Sequence, residues 1–363
     1  MTLNRRDFLG AAAATGVLTG LGARQAFAAE PVNVALITPS PIADVGWSRS
    51  LASGLEAVNK ELGDALKLTF IDKINEGPDA DRIMAKAVAD GNKIVIAGSF
   101  GYMNGAMQLA RRNPDVAVLH ASGFKTLPNF SNFTARNYEG TYLMGMAAAS
   151  LTKSKKLGVV GAFPIPELLA SNSAFTLGAQ AIDPEVQVSV IWVNSWFDPA
   201  KEQDSAKALI AQGCDVIFSN AQDTPSVVAL CEKEGVWTTN LNSTMKKYAP
   251  TRYIGVVGTD WAPYFKREID AKLAGKFEGT SNWLGIKDGV IKCADWSTDI
   301  APEVMDKIKA AEAAIADGSH PPFAGPVVKD DGTELAAAGT NMTDEQLWSM
   351  DWQVKGIVTP LPK

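Results

Sequence analysis

Histidine, cysteine and clustered basic residues are scarce in this chain, and each scarcity removes a class of function. Only two histidines occur among 363 residues. His120 ends a predicted strand beside Ser122, and His320 precedes Pro321-Pro322. Neither lies near a G-x-S-x-G elbow, which argues against a Ser-His-Asp hydrolase, and His120 reads as a satisfied strand-end residue. The three cysteines, Cys214, Cys231 and Cys293, allow one disulfide at most. With no C-x-x-C and no Cys/His cluster they point to no metal, and they read as small buried apolar side chains. Beyond residue 28 no G-x-G-x-x-G follows a strand and no G-x-x-x-x-G-K-[ST] occurs, so the phosphate cradles of dinucleotide and triphosphate cofactors are missing. An exported nucleoside-processing enzyme would need an aspartate cluster for calcium after its first strand, where Asp44 stands alone. No cofactor, metal or catalytic residue is expected.

The densest basic run, Lys153-Ser154-Lys155-Lys156, reads as a solvated loop, and the net charge is −6. Without a basic stripe there is no footprint for nucleic acid. Nor does any segment approach the roughly 20 apolar residues of a membrane helix.

What is present begins with an address. Arg5-Arg6 in Asn4-Arg5-Arg6-Asp7-Phe8-Leu9-Gly10 precedes a short Gly/Ala-rich apolar stretch and the site Ala26-Phe27-Ala28, the pattern of a bacterial twin-arginine export signal. Cleavage after Ala28 removes three arginines and one aspartate, taking the net charge from −6 to −8. The first cysteine lies far from that site, so no lipid anchor is available, and a free periplasmic product is expected.

The full chain is 46% hydrophobic, and its mature segment alternates strand with helix. Strands at 34–37, 66–71, 94–97 and 116–119 alternate with helices near 50–62, 80–89 and 105–112. The rhythm repeats with strands at 157–160, 188–193, 216–219 and 236–239 and helices at 167–182, 201–212 and 226–234. Such alternation gives parallel βαβ units. The expected fold is α/β, with two Rossmann-like lobes, a central cleft and a multi-strand hinge. Lobe 1 is expected at 29–136, with a return segment near 259–282, and lobe 2 at 137–258, with 283–363. Within these returns 261–275 and 302–318 read as helices and 283–286 as a strand. The C-terminal stretch reads as a hairpin and tail, with a capped helix start at Met342-Thr343-Asp344-Glu345.

Two segments carry the functional signal. Val34-Ala35-Leu36-Ile37 runs into Asp44-Val45-Gly46-Trp47-Ser48, and Val188 to Val193 runs into Asn194-Ser195-Trp196-Phe197-Asp198-Pro199. In open α/β sheets ligands sit beyond the carboxyl ends of the strands, so both aromatic loops fall where a ligand would lie, one from each lobe. A flat molecule between two lobes is the natural guest.

These residues resemble the basic membrane protein (BMP) family of ABC-transporter solute-binding proteins, which includes purine nucleoside receptors. The resemblance spans about 31–355. It rests on Asp44-x-Gly-Trp47-Ser48, Gly98-Ser99-Phe100-Gly101-Tyr102, Arg136-x-Tyr138-Glu139-Gly140-Thr141-Tyr142-x-x-Gly145, Trp196-Phe197-Asp198-Pro199, Gln212-Gly213-Cys214-Asp215-Val216-Ile217 and Gly285-Ile286-Lys287-Asp288-Gly289-Val290. It implies a type I periplasmic-binding fold that captures a ligand and hands it to a membrane permease without chemistry, as a monomer. By the resemblance, Trp47 and either Trp196 or Phe197 stack on the ring, which adds about 0.5–1.5 kcal/mol beyond area burial. Ser48, Ser122, Asn220, Asp223, Asn242 and Lys287 are candidates for its edge, and Phe100 and Trp261 join the binding set.

Two departures bear on the ligand. Nucleoside-binding relatives carry Asn where this chain has Ser48, and a ribose-gripping carboxylate where it reads Thr239-Asn240-Leu241-Asn242. A free purine base or similar heterocycle is therefore favoured over a full nucleoside; a sensor subunit facing a membrane receptor would show the same cleft. Plainer roles stand beside each assignment. Trp47 could be a lid on its own lobe, and adjacent Trp196 and Phe197 cannot both face the cleft. Phe100 competes with Tyr102 for a core position, Asp223 could cap the helix after Thr224-Pro225, Trp261 could pack the hinge, and Lys287 could be a solvated turn residue.

Overall fold

The computed structural model describes residues 31–63 and 65–362; the expected export signal at 1–28 lies outside the described residues. The first sheet contains β1 (Val32–Ile37), β2 (Leu66–Ile71), β3 (Ile94–Ala97), β4 (Ala117–Ala121) and β5 (Phe130–Ala135). The second contains β6 (Lys156–Gly161), β7 (Gln187–Trp192), β8 (Val216–Asn220), β9 (Trp237–Asn242) and β10 (Tyr253–Thr259). A late strand joins each: β11 (Ser281–Leu284) runs parallel to β5, and β12 (Ile291–Ala294) runs antiparallel to β10. The strand orders are β11-β5-β4-β3-β1-β2 and β12-β10-β9-β8-β6-β7. These are two doubly wound sheets of matching order.

Burial follows position in the sheet. Val34, Ala35, Leu36 and Ile37 of β1, paired on both sides, are fully buried, whereas edge strand β2 alternates buried Leu66 with exposed Lys67. A strand covered on both faces reads as an apolar run, and an edge strand reads as an alternation. Strands β5, β10 and β12 are not among the sequence expectations, and for β5 the reason is a polar interior. In β5 (Phe-Ser-Asn-Phe-Thr-Ala), Ser131 Oγ accepts from the Thr280 N–H at 3.1 Å, and Asn132 Nδ2 donates to the Lys125 carbonyl at 3.0 Å. Bonded in this way, buried polar groups cost little, but they erase the hydrophobic signal.

The helices are α1 (Trp47–Glu61), α2 (Pro78–Ala89), α3 (Met103–Arg112), α4 (Asn137–Leu151), α5 (Pro166–Ile182), α6 (Pro199–Ala211), α7 (Ser226–Glu234), α8 (Ala262–Leu273) and α9 (Pro302–Ala316). α4, absent from the sequence reading, is apolar nearly all round and packs against α5. Their approach depends on glycine: a Cβ on Gly145 would lie 2.0 Å from the Phe175 carbonyl oxygen, and one on Gly178 would lie 1.9 Å from that of Tyr142. Any larger residue would force the helices apart.

The chain passes between the sheets three times: from β5 to α4, from β10 to α8, which packs on α1, and from β11 to β12. At these crossings the Ile286 N–H donates to Glu139 Oε2 at 2.7 Å, and burial pushes the Glu139 carboxyl up to about 7. Strand β11 belongs to the first sheet, so the return segment extends to Leu284, two residues beyond the expected 282. The C-terminal stretch forms a hairpin of β13 (Val327–Val328) and β14 (Glu334–Ala336), then α10 (Asp344–Trp348), whose start has the full capping box of Thr343 and Gln346. All three cysteines are unpaired. Among the described residues no helix is long and apolar enough to cross a membrane.

Candidate ligand-binding site

The carboxyl ends of both sheets open onto one cavity, the position at which open α/β sheets hold ligands. From the first lobe come Pro39, Trp47, Ser99, Phe100 and Ser122; from the second come Asn137, Glu167, Leu168, Trp196, Ala221, Asp223, Leu241 and Asn242. One indole thus enters from each side.

Trp47 is the first residue of α1, three positions earlier than the sequence reading began that helix. Its Nε1 donates to the Gly98 carbonyl at 2.8 Å, and its ring meets that of Trp261 edge-on, with centroids 5.6 Å apart. Trp261 is fully buried and packs in turn on Phe133 and Phe265, so it backs Trp47 and does not line the cavity. Trp196 is held more loosely. It sits at 4.7 Å from the ring of Phe163, and its buried Nε1 has no partner. The adjacent Phe197 is 42% exposed and lines a neighbouring depression, so of this pair Trp196 takes the cleft wall.

Asp223 joins the lobes. Helix α1 begins after Gly46, with no capping side chain of its own and no acid in its first turn. The Asp223 carboxylate reaches across from the second lobe and accepts from the Trp47 N–H and from the hydroxyls of Ser40 and Ser48. Beside it the Gly46 N–H donates to Ser243 Oγ at 2.7 Å, and Asp44 pairs with Lys247 and Tyr248. A carboxylate at a helix N-terminus satisfies orphan N–H groups and meets the positive end of the dipole. Here the helix and its cap belong to different lobes. The sequence offered Asp223 as a cap for the helix after it, but α7 has no side-chain cap. Burial pushes the Asp223 carboxyl up to about 6, against the donors that pull it down. Gly46 has φ +93°, and a Cβ there would lie 2.5 Å from Asp223 Oδ1, so this close approach requires glycine.

The sequence candidates divide by position. Trp47, Phe100, Ser122, Trp196, Asp223 and Asn242 line the cavity. Ser48 is buried behind it in the Asp223 network, and Asn220 spends its amide on Asn172 Oδ1 at 2.6 Å. Lys287 is exposed on the turn between β11 and β12 and does not line the cavity. Besides Ser99, two polar lining residues were not singled out as candidates, Asn137 and Glu167. They open α4 and α5, and Asn137 Nδ2 donates to Glu167 Oε1 at 2.9 Å. Burial raises the Glu167 carboxyl to about 7, while donors from Ser122 and Asn137 lower it. Glu167 opens the helix after β6 and that position was its only sequence signal, whereas Asn137 follows β5, a strand the sequence does not announce.

His120 is fully buried and its Nε2 bonds the Ser99 carbonyl at 2.9 Å, with burial pushing it down to about 4. It braces the loop of Ser99 and Phe100 from behind. Among the described residues no group of three or more His, Cys, Asp or Glu could hold a metal ion.

Residues 31–318 match the family Bmp, described as ABC transporter substrate-binding protein PnrA-like. A purine-binding protein of Brucella abortus is 37% identical over 338 residues, covering 93% of this chain and 96% of the relative. A putative ABC transporter glucose-binding protein of Haloferax volcanii is 32% identical over 306 residues, covering 84% of this chain and 78% of that one. Among solved structures, an ABC transporter solute-binding protein of Aeropyrum pernix superposes with a TM-score of 0.70 over 80% of this chain and 92% of its own, at 17% identity. That last likeness concerns the fold alone.

Proposed function

Because this chain belongs to the Bmp family of ABC transporter substrate-binding proteins, we propose that it captures a free purine base, or a closely related flat heterocycle, and delivers it to a membrane ABC permease. Export through the twin-arginine route would place this step in the periplasm, and the protein acts there as a monomer. The observation that carries the reading is the meeting of Trp47 and Trp196, from opposite lobes, on one cavity whose remaining wall mixes apolar and polar side chains. Aromatic faces bury the plane of a heterocycle, and in-plane polar groups then fix its orientation.

Two features favour a base over a nucleoside. The Asp223 carboxylate at the cavity wall already accepts from Ser40, Trp47 and Ser48. Of the polar side chains in Thr239–Asn242, only Asn242 lines the cavity; Asn240 turns its amide to the carbonyls of Leu241 and Ser243. The purine-binding relative covers nearly the whole chain and supports the same ligand class.

Calorimetric titration of the mature protein with bases, nucleosides, sugars and amino acids tests this. Purine bases should bind with dissociation constants of about 1 µM or below, on the order of 8 kcal/mol, and nucleosides more weakly. Binding of sugars or amino acids alone would defeat the reading, and turnover of a nucleoside would make the protein an enzyme.

A further inference from the structure

Helices α4 and α5, locked together through Gly145 and Gly178, bring their N-terminal turns side by side at the cleft. A second tie, Thr141 Oγ1 to the Ser171 carbonyl at 2.9 Å, fixes their register. Asn137 is the first residue of α4 and Glu167 the second of α5, so the packing of two buried helices sets their geometry. The Glu167 carboxylate receives donors from both Asn137 and Ser122. A carboxylate that accepts twice forces the Asn137 amide to turn its nitrogen inward. The oxygen left over, Asn137 Oδ1, is buried at the cavity wall without a partner. Burying an unpaired carbonyl oxygen costs free energy that a bound donor would recover.

We propose that Asn137, its amide held by Glu167, whose carboxylate also accepts from Ser122, reads the in-plane edge of the ligand by accepting a hydrogen bond from a ring N–H or amino N–H at Oδ1. This rests on the purine reading above and sharpens it. The site selects heterocycles bearing an amino group or a lactam N–H on the six-membered ring over those presenting only ring-nitrogen lone pairs there. Glu167 is a positioning residue: as an acceptor it keeps the amide from rotating to show its nitrogen to the ligand.

Calorimetry of the mature protein with adenine, hypoxanthine and unsubstituted purine tests the assignment. In the wild type, adenine or hypoxanthine should bind about tenfold more tightly than purine, the effect of one well-formed hydrogen bond. Asn137→Leu removes the acceptor at similar volume and should bring the preference to within about twofold, with purine itself still bound. Glu167→Gln leaves the acceptor but frees the amide to rotate, so the preference should narrow there as well. Equal binding of all three ligands by the wild type, or a preference that survives Asn137→Leu, overturns this inference and leaves the purine reading standing. If Asn137→Leu shows no melting transition, Glu167→Gln decides, and unchanged selectivity in it overturns the assignment. A wild type that binds none of the three brings down the purine reading and this inference with it.

Discussion

The two walls of the cleft carry the same ring on different foundations. On the first-lobe side Trp47 is tied by its Nε1 to the Gly98 carbonyl and backed by fully buried Trp261, which rests on Phe133 and Phe265. On the second-lobe side the Trp196 ring rests on that of Phe163 and leaves its Nε1 unbonded. The first wall is thus a continuation of a core, while the second is a side chain on a loop. A binding protein gains from this asymmetry: a fixed platform sets the ligand plane at little ordering cost, and the less constrained ring is free to adjust to the ligand's other face.

Removing each ring in turn should break the comparison most visibly. Trp47→Ala opens a cavity against Trp261 and should cost about 3–5 kcal/mol of ligand-free stability, together with ligand binding. Trp196→Ala should spare ligand-free stability and cost about 1–3 kcal/mol of binding. Denaturant unfolding without ligand and calorimetry with it would separate the two. Equal losses of ligand-free stability would show that the walls do not differ.

The link between the walls should come next in size. Asp223→Ala removes the cap that the second lobe supplies to α1 and should weaken ligand binding by about 2 kcal/mol, roughly thirtyfold. Gly46→Ala sharpens the point because it changes no side chain lining the cavity. Its Cβ would collide with the Asp223 carboxylate, so affinity should fall by about tenfold or more, on top of the roughly 1–2 kcal/mol that alanine pays at positive φ. Small-angle scattering should show a more open particle for both variants.

The smallest effect is on pH dependence. Burial raises Asp223 to about 6 and Glu139, Glu167 and Glu202 to about 7, above their ordinary values of 3.8 and 4.5. The folded protein therefore holds protons that the unfolded chain has released. Stability from these groups is present at low pH and is lost as pH rises through about 6 to 7. The ligand-free melting temperature should be higher at pH 5.5 than at pH 8, and Asp223→Asn with Glu167→Gln should flatten that slope. A melting temperature that climbs toward pH 8 would contradict it.

How far the sequence reached depended on whether a residue's role was local. The rhythm of apolar strands and amphipathic helices exposed the fold, and Trp47 and Trp196 stood out as bulky aromatics directly after strand ends. Asn137 and Glu167 did not: Asn137 opens a helix whose all-round apolar composition carries little periodicity, and although the helix that Glu167 opens is expected at 167–182, the pairing of the two depends on two glycines far along the chain. Ser48 and Asn220 were good polar candidates by type, yet each is taken up by a neighbour behind the wall. Lys287 shared a motif with the crossing segment but stands on an exposed turn.

The alternation of strands and helices through most of the chain, the two-lobed α/β architecture and the aromatic character of the binding loops follow from the sequence alone, because hydrophobic period and strand-end position are properties of short segments. Which ring is braced, which carboxylate caps the opposite lobe and which amide oxygen is left unpaired were decided only by tertiary structure. Each depends on atoms brought together from positions up to about two hundred residues apart, as Asp44 with Tyr248, where hydrogen-bond geometry and burial select one partner among many of the same chemical type.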